Sequence, residues 1–201
     1  MAKEHSFRSP SLFHNRWCFP LVAILALLSS SCQPKQDQQT QQPISLPDKE
    51  TAFIQAIQSV KAEYDAAPNE LRKSAVRTKR GKLIQKALGG SRNVSDWVGV
   101  LSDMETSGEG KAILEIKLEG TDIQVGTWNN SLSDMFDNTL IPQESPIYSA
   151  ASQLKEGDRI VFSGTFLPTD ANDYVKETSL TESGSMSSPE FILKFKAIKA
   201  Y

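Results

Sequence analysis

Apolar and polar positions alternate along this chain with two different periods, and the change of period near residue 91 divides it. Between Asp48 and Tyr64, the residues Phe53, Ile54, Ile57, Val60 and Tyr64 recur every three to four positions, which predicts a helix with one apolar face. Pro68 and Asn69 interrupt it. A second helix is expected from about residue 70 to 88, with Leu71, Val76, Leu83, Ile84 and Leu88 on its apolar side and Gly89 and Gly90 as its stop.

From Ser91 onward the period becomes two, and strands are expected at 97–101, 111–118, 122–128, 159–166 and 191–198. In the second strand Ala112, Leu114, Ile116 and Leu118 share one face, and Lys111, Ile113, Glu115 and Lys117 share the other. In the third, Ile123 and Val125 point inward while Gln124, Gly126 and Trp128 point outward. Trp97 is expected in the core. Residues 146–154 read as a short helix opened by Pro146, and 167–189 as a long polar loop. Three strands, a helix and two strands is the order of a five-stranded Greek-key OB barrel, so the expected fold class is α+β: two helices followed by an OB-like barrel.

The N-terminal segment follows neither period. Lys3, Arg8 and Arg16 precede an apolar stretch from Phe19 to Leu28, too short to span a bilayer, and then Ser29, Ser30, Ser31 and Cys32. The segment resembles the lipobox of bacterial lipoproteins, which implies acylation of Cys32 and its exposure as a new N-terminus. Ser29 stands where that pattern has an aliphatic residue; ordinary secretory cleavage near the serines and an uncleaved anchor are the alternatives. Gln33 after the cysteine implies an outer-membrane destination if the processing is that of a Gram-negative lipoprotein. The expected organisation is therefore a signal peptide at 1–31, a disordered Gln- and Pro-rich tether at 32–47, a helical region at 48–90 and the barrel at 91–201.

Removal of residues 1–31 takes away His5, His14 and Cys18, leaving no histidine and no cysteine but Cys32. The remaining chain carries nineteen basic and twenty-three acidic residues. No disulfide framework is possible in it, and packing must hold the fold. No cofactor or metal site is expected: there is no phosphate-cradling Gly-rich loop and no Gly-x-Ser-x-Gly elbow. Asp170, Asn172 and Asp173 lack the ligand spacing of an EF-hand and read as exposed solubilising charge. An envelope hydrolase using Asp, Glu or Ser is the alternative to a non-catalytic binding or assembly module.

Two surfaces are candidates for binding. The outer face of strands two and three, where OB-folds commonly take ligands, would present Lys111, Ile113, Lys117, Gln124 and Trp128. Its rims are acidic, with Asp103, Glu105 and Glu109 on one side and Asp170, Asp173, Glu177, Glu182 and Glu190 against Lys176 on the other. Such rims repel a phosphate backbone, so nucleic acid is disfavoured and a protein or envelope ligand is expected. The second helix carries Arg72, Lys73, Arg77, Lys79, Arg80, Lys82 and Lys86 against Glu70, a set suited to an anionic surface if it is not simply a solvated face.

Over roughly 93 to the C-terminus the chain also resembles a bacterial family of OB-like domains. The resemblance rests on Val94-Ser95-Asp96-Trp97-Val98-Gly99, Thr127-Trp128-Asn129-Asn130, the run from Leu154-Lys155-Glu156-Gly157-Asp158 through Phe166, and Ser179-Leu180-Thr181-Glu182-Ser183-Gly184-Ser185-Met186. It implies the barrel fold and, for some members, an exported or membrane-associated setting. It implies no activity.

Overall fold

A computed structural model describes residues 44–169 and 173–201. The expected signal peptide, Cys32 and most of the tether lie outside the described residues, as do Asp170 and Asn172. The elements run α1 (Asp48–Asp65), α2 (Glu70–Ala87), β1 (Asn93–Thr106), β2 (Ala112–Leu118), β3 (Gln124–Gly126), α3 (Pro146–Ala151), β4 (Arg159–Phe166), α4 (Glu182–Ser187) and β5 (Glu190–Ala200).

The five strands close into a barrel in the order β1-β2-β3-β5-β4. β3 and β5 run parallel, and the other neighbouring pairs are antiparallel. With two helices ahead of it, this is the expected α+β, OB-like architecture. Closure depends on β1 belonging to two ladders. Gly99 and Val100 pair with Leu118 and Lys117 of β2 and also with Ile160 and Arg159 of β4. A Cβ at Gly99 would fall 2.7 Å from the Lys117 carbonyl oxygen, so the close crossing needs the hydrogen side chain.

Alternation places the core correctly. Leu114, Ile116, Leu118, Ile123 and Val125 are buried inside the barrel, and Trp97 is fully buried among them. α1 closes one end. Phe53 lies 5.1 Å from the Trp97 ring, stacks on Phe166 at 5.2 Å and meets Phe191 edge-on at 5.2 Å. Such ring contacts add about 0.5–1.5 kcal/mol per pair beyond burial. α1 is thus part of the barrel's own core rather than a decoration on it. Glu50 adds a polar pin, its Oε2 accepting the Val98 backbone N–H at 2.9 Å.

α2 ends as Gly89 and Gly90 require. Gly90 N–H reaches the Gln85 carbonyl and Gly89 N–H the Lys86 carbonyl, both glycines having positive φ, which is the Schellman arrangement.

Several boundaries differ from expectation. β1 extends to Thr106, so Asp103 and Glu105 are strand residues and not part of the first loop. β3 shortens to three residues because its partner, β5, pairs with it only at Glu190, Phe191 and Ile192. The polar loop contains α4, capped by Thr181 accepting from the Gly184 N–H at 3.1 Å. Leu71, expected on an apolar face, is exposed near the start of α2.

Candidate functional site

The basic helix meets acids from the β4–β5 connection. Arg77 donates to Asp173 through Nε at 2.9 Å and Nη2 at 2.7 Å, the bidentate geometry that suits a planar guanidinium. Arg80 is 1% exposed. It donates to the Ser185 carbonyl at 2.7 Å, to Ser185 Oγ at 2.7 Å and to Glu177 Oε1. Ser185 Oγ in turn donates to Glu177 Oε2 at 2.7 Å. Burial pushes the Glu177 carboxyl up, and Arg80 and the Ser185 hydroxyl pull against it.

This corrects two expectations at once. Arg80 cannot meet an anionic surface, and Asp173 is an almost fully buried ion-pair partner rather than solubilising charge. Of the remaining basic candidates, Lys73 pairs with Glu70 at 2.9 Å and Lys79 with Glu63 at 2.6 Å. Arg72, Lys82 and Lys86 are exposed and make no ion pair among the described residues.

The strand-two and strand-three face is also largely engaged with itself. Lys111 pairs with Glu109 at 2.9 Å and Lys117 with Asp122 at 2.8 Å. At its centre Glu115 accepts from Ser102 Oγ at 3.2 Å and from Gln124 Nε2. Burial raises the Glu115 carboxyl, with those two hydrogen bonds opposing. Ile113 is buried although alternation turns it away from the barrel interior. Trp128 is half-buried, and its indole N–H donates to Asp137 Oδ2 at 2.8 Å. Burial works to raise the Asp137 carboxyl, but hydrogen bonds from Lys176 at 2.8 Å and from Trp128 outweigh it and hold it below its usual range. Of the five expected residues, Lys111, Lys117, Gln124 and Trp128 already have partners for their polar groups.

An unsatisfied surface lies elsewhere, where β1 outruns β4. The ladder to β4 begins at Val100 opposite Arg159, and Leu101 makes the last contacts, with Gly157 and Asp158. Beyond it, β1 pairs only with β2. Because Ser107 N–H donates to the Lys111 carbonyl at 2.9 Å, the residues bonded to β2 are Glu105 and Asp103. The N–H and C=O groups of Met104 and Thr106 therefore face away from β2, and no described residue bonds them there. A groove of about 540 Å³ runs beside this edge, lined by Met104, Glu105, Thr106 and Ala112, by Tyr148 and Ala151 of α3 and by Ser152 at its end.

Neither Met104 nor Thr106 stands out in the sequence. The one signal would have been the relative length of strands one and four, and that is defined only when their register is known. Among the described residues no group of three acidic, histidine or cysteine side chains converges to hold a metal ion, and no helix is long and apolar enough to cross a membrane. Comparison of the chain with protein-family models, with curated proteins and with solved structures finds no match.

Proposed function

We propose that this chain is an exported, lipid-anchored cell-envelope protein that acts as a non-catalytic binding module, holding an extended segment of a partner protein along the open edge of β1. The observation that carries the reading is the pair of outward-facing backbone groups at Met104 and Thr106 beside a formed groove. Their spacing is that of a strand, and an added strand satisfies both in one step. Tyr148 and Ala151 supply an apolar wall for alternate side chains of the incoming segment. The Cys32 context supports the envelope setting, and the acid at the centre of the strand-two and strand-three face disfavours a nucleic acid there.

The test uses short linear peptides displayed on phage and selected on the native chain. Peptides that bind should lose about tenfold in affinity with Thr106→Pro, which removes one edge donor, and keep their affinity with Lys117→Ala and Trp128→Ala. The reverse pattern would return the site to the face of strands two and three. Failure to enrich any peptide sensitive to Thr106→Pro would remove the edge from consideration.

A further inference from the structure

The connection from β3 to α3 holds a second surface feature. Within residues 131–137, Leu132 is 77%, Met135 58% and Phe136 89% exposed. The other large exposed apolar side chains, Leu71, Leu180 and Tyr201, belong to separate segments of the chain. Contiguous apolar exposure of this kind marks a contact surface.

The exposure is built in. Asp134 is buried beneath the loop and accepts from the Thr139 N–H, from Thr139 Oγ1 at 2.7 Å and from the Leu140 N–H at 3.1 Å. Asn130 Oδ1 accepts from the Ser133 N–H at 2.8 Å. These bonds fix the turn from below while its apolar side chains stand outward. They also leave no exposed, unpartnered acid at the tip: Asp134 is buried on three neutral donors, and Asp137 pairs with Lys176 at 2.8 Å and accepts from Trp128. Ser131 and Ser133 are the remaining polar side chains between Asn130 and Asp134.

We infer that the 131–137 loop is a membrane contact, with Leu132, Met135 and Phe136 entering the boundary between lipid headgroups and acyl chains. The inference rests on the lipid-anchored reading above. A projecting apolar tip with one acid buried and the other ion-paired suits a fluid apolar phase, which needs no complementary cleft. The half-buried Trp128 beside it has the amphipathic character favoured at such boundaries. Reach is no obstacle. Fifteen residues separate Cys32 from Asp48, a span of up to roughly 50 Å, against about 40 Å for the diameter of a domain this size. The loop would hold the domain in one orientation at the bilayer, where the anchor alone leaves it free to turn.

The experiment uses the full-length chain, extracted from membranes and reconstituted in vesicles of phosphatidylethanolamine and phosphatidylglycerol. Acylation consumes the Cys32 thiol, so Phe136→Cys and, separately, Leu180→Cys each give one site for an environment-sensitive fluorophore. Leu180 is fully exposed on another loop and serves as the reference. The expected result is blue-shifted emission, quenched by brominated acyl chains, at position 136 and water-like emission at position 180. In unlabelled protein, Leu132→Ser with Met135→Ser should lower vesicle retention by about tenfold when residues 1–32, and with them both signal and lipid, are removed.

Water-like emission at 136 in vesicles that retain the acylated protein would overturn the loop contact and leave the anchor standing. A blue shift that needs no vesicles and grows with protein concentration would overturn it in favour of a second copy. If intact mass shows no acyl chain, the anchored reading falls, and the labelling is repeated with Cys18→Ser and Cys32→Ser so that position 136 carries the fluorophore alone. A vesicle-dependent blue shift at 136 would then support the loop by itself, and its absence would overturn both.

Discussion

The two places where β1 meets the rest of the molecule differ in how their polar groups are satisfied. Near its start, β1 is covered by α1, and the adjoining α2 and α4 bury a cluster of charge: Arg77 and Arg80 against Asp173, Glu177 and Ser185. Near its end, Met104 and Thr106 carry no charge at issue, and their backbone groups lack a partner among the described residues. The conspicuous residues of the sequence are thus structural, and the open surface is made of inconspicuous ones. A run of basic residues and a distant run of acids can be two halves of one internal contact.

The largest effect should come from breaking the charged cluster. Arg80→Leu leaves Glu177 buried without its cation and should cost about 3–5 kcal/mol in denaturant unfolding. Adding Glu177→Leu should recover much of that loss, because the unpaired charge goes with it. A cost below about 1 kcal/mol for the single change would mean that the acidic connection swings out to water, and the contrast drawn above would fail.

A second effect sharpens the same contrast through pH. Burial pushes the Glu50 carboxyl up to about 7 from an ordinary value of 4.5, the Val98 N–H opposing and the charge of Glu119 adding to it. Its Oε1 is buried without a partner. Between those values the folded chain holds a proton there that the unfolded chain has released. Stability from this residue therefore falls as pH rises from about 4.5 to 7 and is lowest above 7. The interval corresponds to no more than about 3 kcal/mol. Glu50→Gln should make that part of the stability profile shallower, measured as midpoint against pH, the remaining slope belonging to Glu177, which burial also pushes up to about 7. An unchanged slope would show that Glu50 is not the group responsible.

The smallest effect is expected where the helix faces solvent. Arg72→Ala, Lys82→Ala and Lys86→Ala should each change stability by less than about 0.5 kcal/mol. Any weakening of binding to phosphatidylglycerol vesicles should disappear at high salt. A large stability loss from any of the three would place that residue in the internal charge network with Arg77 and Arg80.

The degree to which the site was legible follows the same division. The inward sides of β2 and β3 are readable from alternation, and with them the side of Lys117 and Gln124, which pair across the two strands. The engagement of the candidates' polar groups was not readable, because the partner of Trp128 depends on how the β3–α3 connection folds back and that of Gln124 on the register of β3 against β2. Asp137 and Glu115 reach them across nine residues of sequence in each case. In sequence the apolar loop is only a polar stretch with mixed apolar residues. Without Asp134 in place beneath it, Leu132, Met135 and Phe136 are simply scattered apolar residues.

By itself the sequence determined the two helices, the five strands, the inward sides of β2 and β3, and the position of Trp97 in the core. Those properties follow from local geometry, since a period of 3.6 or 2 puts one set of side chains on one face whatever the rest of the chain does. Tertiary structure alone decided which charges cancel, which backbone groups remain unpaired and which apolar side chains stay in water. Arg77 and Arg80 find their acids 96 and 97 residues away, and the open edge exists because β4 ends its ladder where β1 continues. Both are matters of register and packing between distant segments, on which local periodicity has no bearing.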